Sequence, residues 1–387
     1  MRAPRIKPPG ANARSASAEP LITADRMVLS LAPDEVADPV LRILLTRARA
    51  GSRPGARGDE HQVCLAVEGC GMRGSVSAGM CVVLEATGLV AAFDRIYGVS
   101  AGALNGWATA VGQAALGATH YQDAASRRVI NRMRPLLGRP VIDCDLLFDE
   151  LIATRKPLSF DDRASGPEFR ALATSLEGYS LRVLSDFRDL DELRQAVRAS
   201  AALPKLGGEP PVFRGERMVD GGLIEPIPFE TAIAEGATHV LVLRSRPAGY
   251  RKPALSALVE AIALREDPKL VELLRPRSGV YNRQAAALEY GCAKGREGVH
   301  VLQIAVPDNA RLIGPLESNS ERVAEALCLG AKAMASEILR HEIDLCWQPV
   351  VYRTAPTREP AGSTLARISS DLPLGRRRGR TARTAVI

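Results

Sequence analysis

Apolar residues fall into short blocks through the middle of the chain, separated by stretches with helical spacing. Val63–Val67, Phe93–Val99, Leu172–Leu176, Leu181–Leu184 and His239–Leu243 are runs of strand length. Ser75–Ala86 and Ala101–Gln113, which follow the first two runs, read as helices. Continuous apolar strands alternating with helices predict an α/β fold with a mainly parallel sheet, buried on both faces. Glu177-Gly178 marks a hairpin turn, Asp189–Ala201 is a helix stopped before Pro204, and Arg217–Val219 is a brief strand ending in Asp220. Near the start, Glu35–Arg49 reads as a helix opened by Asp34. From about 253 to 348 helical patterns dominate, interrupted by one apolar run at Val299–Val306. The expected organisation is a partly disordered N-terminal extension (1–60) and an α/β core (61–246). A mainly helical region packed on that core (247–350) and a basic disordered tail (351–387) complete it. No internal repeat is visible.

Composition narrows this picture. With 46% apolar and 25% charged residues in 387, the chain is neither disordered nor fibrous. No apolar run reaches the length of about 18 residues that a membrane-crossing helix needs. The formal charge of +7 sits at the ends. Residues 1–60 hold ten basic and seven acidic side chains, and residues 351–387 hold eight arginines and two acids, so the middle is slightly acidic. The run Arg376-Arg377-Arg378 with Arg380 is read as a solvated tail or as a loose contact to an anionic membrane. No aromatics interleave it, so no nucleic acid is expected. The seven cysteines form no C-x-x-C pair, and Met1–Ala18 has no apolar signal core. Together these point to reduced thiols and a cytoplasmic protein, peripheral at the membrane at most.

Three constellations carry candidate chemistry. Gly98-Val99-Ser100-Ala101-Gly102 joins a strand directly to a helix. A serine there is held on a sharp, strained turn with its hydroxyl lifted above the sheet edge, and a Cβ at Gly98 or Gly102 would collide with neighbouring elements. The loop Gly69-Cys70-Gly71-Met72-Arg73-Gly74 has two readings. It is a G-x-G-x-x-G dinucleotide fingerprint, or an oxyanion hole whose backbone N–H groups face a carbonyl oxygen during acyl transfer. The first needs an acid at the carboxyl end of the next strand. That end is Gly98-Val99-Ser100, and Asp94 stands at the wrong end of the strand. Asp220-Gly221-Gly222 is either an ordinary turn or an aspartate at a strand end aimed at the serine. None of the five histidines (61, 120, 239, 300, 341) follows an acid on a late loop, as the order Ser…Asp…His of α/β-hydrolases demands. A nucleophilic Ser100 would therefore take Asp220 itself as proton acceptor.

Taken together, the three pieces resemble the patatin-like phospholipase family. Its pattern is a glycine loop closing on a basic residue and glycine, G-x-S-x-G about thirty residues later, and D-G-G or D-G-A well downstream. Here these are Glu68–Gly74, Gly98–Gly102 and Asp220–Gly222, and Ala199–Pro204 looks like the segment the family sets before its aspartate. The resemblance spans about residues 61–246. It implies a three-layer α/β/α fold and hydrolysis of lipid acyl esters, with a lipid or lysolipid substrate. It also implies Ser100 as nucleophile, Asp220 as proton acceptor, N–H groups of Gly69, Cys70 and Gly71 as oxyanion donors, and neither cofactor nor metal. A lipid acyltransferase or a non-catalytic lipid- or partner-binding protein of the same fold are the alternatives. Arg73 is a headgroup contact or a structural clamp. Ser200, with no glycine elbow around it, is not expected to act as nucleophile.

Two positions depart from the family pattern. Cys70 stands where the family has glycine, which costs about 1 kcal/mol if that residue needs positive φ and nothing otherwise. Pro226 stands where the family often has asparagine.

Overall fold

The computed structural model of the chain describes residues 33–160, 166–203, 206–254, 268–289 and 298–339. His341, Cys292, Cys346 and the basic tail lie outside the described residues.

The first apolar block forms β1 (Val63–Val67), buried throughout. β2 (Arg95–Val99), β3 (Glu168–Ser175), β4 (Ser180–Leu184), β5 (Val212–Phe213), β6 (Glu216–Asp220), β7 (His239–Leu243) and β8 (His300–Ile304) complete one eight-stranded sheet. Its order is β5-β6-β3-β2-β1-β7-β8, with β4 paired to β3. The strands β3-β2-β1-β7-β8 are mutually parallel, while β4, β5 and β6 supply the antiparallel pairings. The hairpin expected at Glu177-Gly178 is β3–β4, closing at Ser175 opposite Ser180. The run at Val299–Val306 supplies β8, so the C-terminal region, expected to be mainly helical, also extends the parallel sheet by one strand.

Alternate residues of β1 feed two cores. Val63, Leu65 and Val67 pack with α2 (Gly74–Ala86), α3 (Ala101–Ala110), α4 (Ala114–Ala124), α5 (Leu190–Ser200) and the helix Ser320–Leu339. Cys64 and Ala66 face the opposite layer, where Phe229 and Ala232 of α6 (Phe229–Ala234) and Tyr281, Ala285 and Leu288 of a further helix cover the sheet. This is an α/β/α arrangement: period-2 side-chain alternation forces a sheet with two apolar faces to be covered twice.

The N-terminal helix α1 (Pro39–Arg49) starts later than expected. Asp38 is its cap, accepting from the N–H groups of Val40 and Leu41, and Asp34 lies in a separate 3-10 turn. Its residues Val40, Leu41, Leu44 and Leu45 are buried in the first core, so this part of the extension is fixed to the domain. The buried Arg47 completes the attachment. It donates to Asp59 (2.6 Å), to Asp94 (2.8 Å) and to the carbonyls of Ala92 (2.8 Å) and His61 (2.7 Å). Asp94, considered above as a ribose acid, also accepts from Arg57 and from the N–H of Val63. It is a joint at the amino ends of the strands.

Candidate active site

Ser100 follows β2 with φ 56° and ψ −129°, a left-handed strain carried by a non-glycine residue. Such strain costs on the order of 1–3 kcal/mol and persists only where the surroundings enforce it. The enforcement is legible atom by atom. A Cβ on Gly98 would sit 2.4 Å from the Gly102 carbonyl oxygen, and one on Gly102 would sit 2.3 Å from that of Val67. Beneath the turn, the Ser100 N–H donates to Ser200 Oγ (2.9 Å), and the Ser200 hydroxyl donates to the Leu172 carbonyl (2.6 Å). The α5 periodicity that buries Leu193, Ala196 and Val197 turns Ser200 inward too. Ser200 is thus a brace for the elbow. Its hydroxyl has one local signal in the sequence, its place on the apolar stripe.

Asp220 reaches Ser100 through sheet register. Val99 pairs with Leu172 of β3, and Asp220 pairs with the next residue, Ala173. β6 therefore takes up β3 where β2 leaves off, and two segments about 120 residues apart in sequence meet tip to tip. Gly221 makes the contact close, because a Cβ there would meet the Leu172 carbonyl oxygen at 2.3 Å. The carboxylate is buried, and burial pushes its pKa up. Arg277, the hydrogen-bonding Ser100 side chain, the Gly222 N–H (2.7 Å) and Lys252 draw it back down.

The glycine loop runs from β1 into a 3-10 turn, Gly71–Arg73, and then into α2. The positive φ falls on Gly71 (60°) and not on Cys70, whose φ of −161° is extended backbone open to any residue. Cysteine at 70 therefore carries no backbone penalty, and burial pushes its thiol up to about 12, which makes it a poor nucleophile. The Gly69 N–H, expected among the oxyanion donors, donates to the Pro226 carbonyl (3.3 Å). The same bond explains why proline is tolerated at 226, since the loop is supported by a main-chain oxygen. Among the described residues, the N–H groups of Cys70, Gly71 and Ala101, the first residue of α3, have no backbone acceptor. Arg73 is buried and donates through Nε to the Ile313 carbonyl (3.0 Å), which favours the clamp reading. The Gly74 Cβ position is filled by Tyr121 Oη at 2.5 Å. Asn105 ties the loop helix to the elbow helix, donating to the Gly74 carbonyl (2.9 Å) and accepting from Tyr121 Oη (3.0 Å).

Glu68, the first residue of the glycine-loop motif, and several residues outside the three motifs support the site. Glu68 is fully buried and accepts from the Ser245 N–H (2.7 Å) and from Tyr281 Oη (2.8 Å), with Arg244 at 3.7 Å. The helix that carries Tyr281, Arg277–Glu289, also brings Arg277 to the Gly222 carbonyl (2.9 Å) and Gln284 to both backbone groups of Ile227. Arg277, Tyr281 and Gln284 are spaced four and three residues apart, one helical stripe facing the site. Lys252 joins this edge, and burial, with Arg277 and Arg246 beside it, lowers its pKa to about 7.

A cavity opens beside Ser100, lined by Leu104, Tyr121, Val129, Ile130, Ile142 and Phe148 among others. His120 is also in its wall, but its Nε2 is bonded to the Lys156 carbonyl (2.9 Å) and burial holds its pKa down to about 4. His61, His239 and His300 lie ring beside ring, edge-on and tilted, at the amino ends of the strands, the opposite ends from Ser100. No group of three or more His, Cys, Asp or Glu able to hold a metal ion occurs among the described residues.

A parallel sheet with helices on both faces, a strained serine at a strand tip and an aspartate beside it make up the frame of this α/β/α site. The family model for patatin-like phospholipase matches residues 65–233. Patatin-like phospholipase domain-containing protein 2 of Rattus norvegicus is 32% identical over 170 residues, covering 42% of this chain and 34% of that protein. Its Homo sapiens counterpart is 31% identical over 168 residues, 42% and 32% of the two chains. YjjU of Escherichia coli K12 is 28% identical over 193 residues, covering 48% and 52%. The matches thus span about a third of the mammalian relatives and about half of the bacterial one. Among solved structures, VipD of Legionella pneumophila aligns over 73% of this chain and 67% of its own, with 12% identity and a TM-score of 0.34.

Proposed function

We propose that the protein is a lipid acyl hydrolase in which Ser100 is the nucleophile and Asp220 the proton acceptor. The observation that carries this reading is the shared register on β3, which sets a buried carboxylate against a strained serine at a cavity mouth. As the Ser100 oxygen attacks an ester carbonyl, its proton passes to Asp220. The carbonyl oxygen becomes negative and is held by the free N–H groups of Cys70, Gly71 and Ala101, each donor being worth about 3 kcal/mol of barrier. The alcohol leaves with a proton returned from Asp220, and an acyl-Ser100 ester remains. Water then loses a proton to the same aspartate and attacks the acyl group, releasing the fatty acid and regenerating the serine. The apolar cavity wall accommodates the acyl chain, and the family resemblance favours lipid esters as substrates.

Transfer of the acyl group to another alcohol uses the same intermediate, and a binding protein of this fold would not form it. A fluorophosphonate probe tests the reading. The purified protein is expected to take up one label per chain, and Ser100→Ala to take up none while keeping the parent's unfolding midpoint. A folded, unmodified parent that never labels sinks the proposal. Product analysis with and without added glycerol separates hydrolysis from transfer.

A further inference from the structure

Among the described residues, four large apolar side chains are exposed, and three of them fall within five positions: Met133 (65%), Leu136 (78%) and Leu137 (78%). Isolated exposed apolars are ordinary, but three at the tip of one projection call for an apolar partner. The projection is anchored. Asn131 N–H donates to the Val141 carbonyl (2.9 Å), Asp143 N–H to that of Val129 (2.8 Å), and Ile130 bridges Ile142. Between these two short arms, Arg134–Leu137 forms a 3-10 turn that lifts the leucines outward.

The charge around the tip is of one sign. From residue 124 to 142 there are five arginines and no acid. Arg134 is committed to Asp143 (3.2 Å) and to backbone carbonyls, and it holds the projection's shape. Arg127, Arg128, Arg132 and Arg139 are exposed. Arg128 has one long carboxylate contact, to Glu150 at 3.9 Å; Arg127, Arg132 and Arg139 have none among the described residues. The acids on the neighbouring helical turn are themselves engaged, Asp145 and Asp149 by Arg198 and Glu150 by Arg155. The base of the same projection is part of the cavity: Val129, Ile130 and Ile142 line the wall beside Ser100.

We propose that this projection seats the protein on an anionic lipid bilayer. Met133, Leu136 and Leu137 enter the boundary between headgroups and acyl chains, and Arg127, Arg128, Arg132 and Arg139 lie against lipid phosphates. Apolar insertion ringed by basic side chains is the chemistry of an interfacial anchor. It rests on the reading of the protein as a lipid hydrolase, and it gives that reading an entry route, because the inserted tip and the cavity wall belong to one short segment. A soluble protein partner or a second copy of the chain would also cover an apolar tip, but neither accounts for four exposed arginines with no acid between residues 124 and 142.

The test is co-sedimentation of full-length Ser100→Ala protein with sucrose-loaded vesicles, a measurement that needs no turnover and so stands or falls apart from the Ser100 labelling. Vesicles of equal parts phosphatidylcholine and phosphatidylglycerol are compared with phosphatidylcholine alone. The parent is expected to favour the anionic vesicles, with binding that weakens as salt rises. Leu136→Ser with Leu137→Ser should lower the partition coefficient about tenfold or more. Arg127→Glu with Arg139→Glu should remove the preference for anionic lipid and its salt dependence. An unchanged unfolding midpoint verifies the fold of each variant. Four results overturn the proposal: a parent that does not sediment with anionic vesicles, folded loop variants that sediment like the parent, loss of binding on deleting 351–387 with loop variants unaffected, or a leucine variant that only converts a dimer into a monomer.

Discussion

The two ends of the parallel strands each hold buried charge, and they use it differently. At the amino ends, Arg47 is saturated by two carboxylates and two carbonyls, and Asp94 is saturated by Arg47, Arg57 and the Val63 N–H. At the carboxyl ends, Asp220 has one fixed backbone donor, and Arg277 and Lys252 influence it without an ion-pair contact among the described residues. A closed cluster of matched charges holds helix to sheet. An open one leaves a carboxylate with capacity to accept a proton. Burial of charge alone therefore does not distinguish the two ends; incomplete pairing does.

Asp220→Asn gives the largest expected contrast. Ester turnover should fall by about a thousandfold or more, as when a buried triad aspartate is replaced. The fold should hold or gain. Burial raises the folded pKa of this acid above its unfolded value, so its ionised form costs stability once pH exceeds the unfolded value of about 3.9. The unfolding midpoint of the variant should accordingly match or exceed the parent's at pH 7, and the difference should vanish in acid. A variant that unfolds earlier at pH 7 would mean that Asp220 belongs to a closed cluster too.

Asp94→Ala should do the reverse. Removing one partner of a buried pair leaves Arg47 half-compensated and is expected to cost about 3 kcal/mol in urea unfolding, while fluorophosphonate labelling of the folded fraction persists. Equal loss of labelling and stability would erase the distinction between the ends.

Arg277→Met probes the open cluster more gently. Arg277 is the strongest influence holding the Asp220 pKa down, so its removal should move the acid limb of the kcat/KM profile to higher pH. An unmoved limb with a uniformly lower kcat would assign Arg277 to the Gly222 carbonyl alone. Cys70→Gly should matter least. With extended backbone at 70 and a thiol shifted to about 12, turnover is expected to stay within about twofold and labelling to remain at one site.

The amino-acid sequence by itself determined the strand blocks, the two strand-to-helix turns and the three motifs, because alternation, glycine and turn chemistry are local properties of a few adjacent residues. It also leaves Ser100 without a well-placed histidine and with Asp220 as the candidate partner. What only the tertiary structure decided depends on contacts between distant segments. Register on β3 joins residues 99 and 220, the Pro226 carbonyl engages the Gly69 N–H, Ser200 braces the turn at Ser100, and α-helical spacing in 277–284 delivers three side chains to a site more than fifty residues upstream. A hydrogen bond is decided by where two atoms stand, and no spacing along one segment encodes the position of its partner on another.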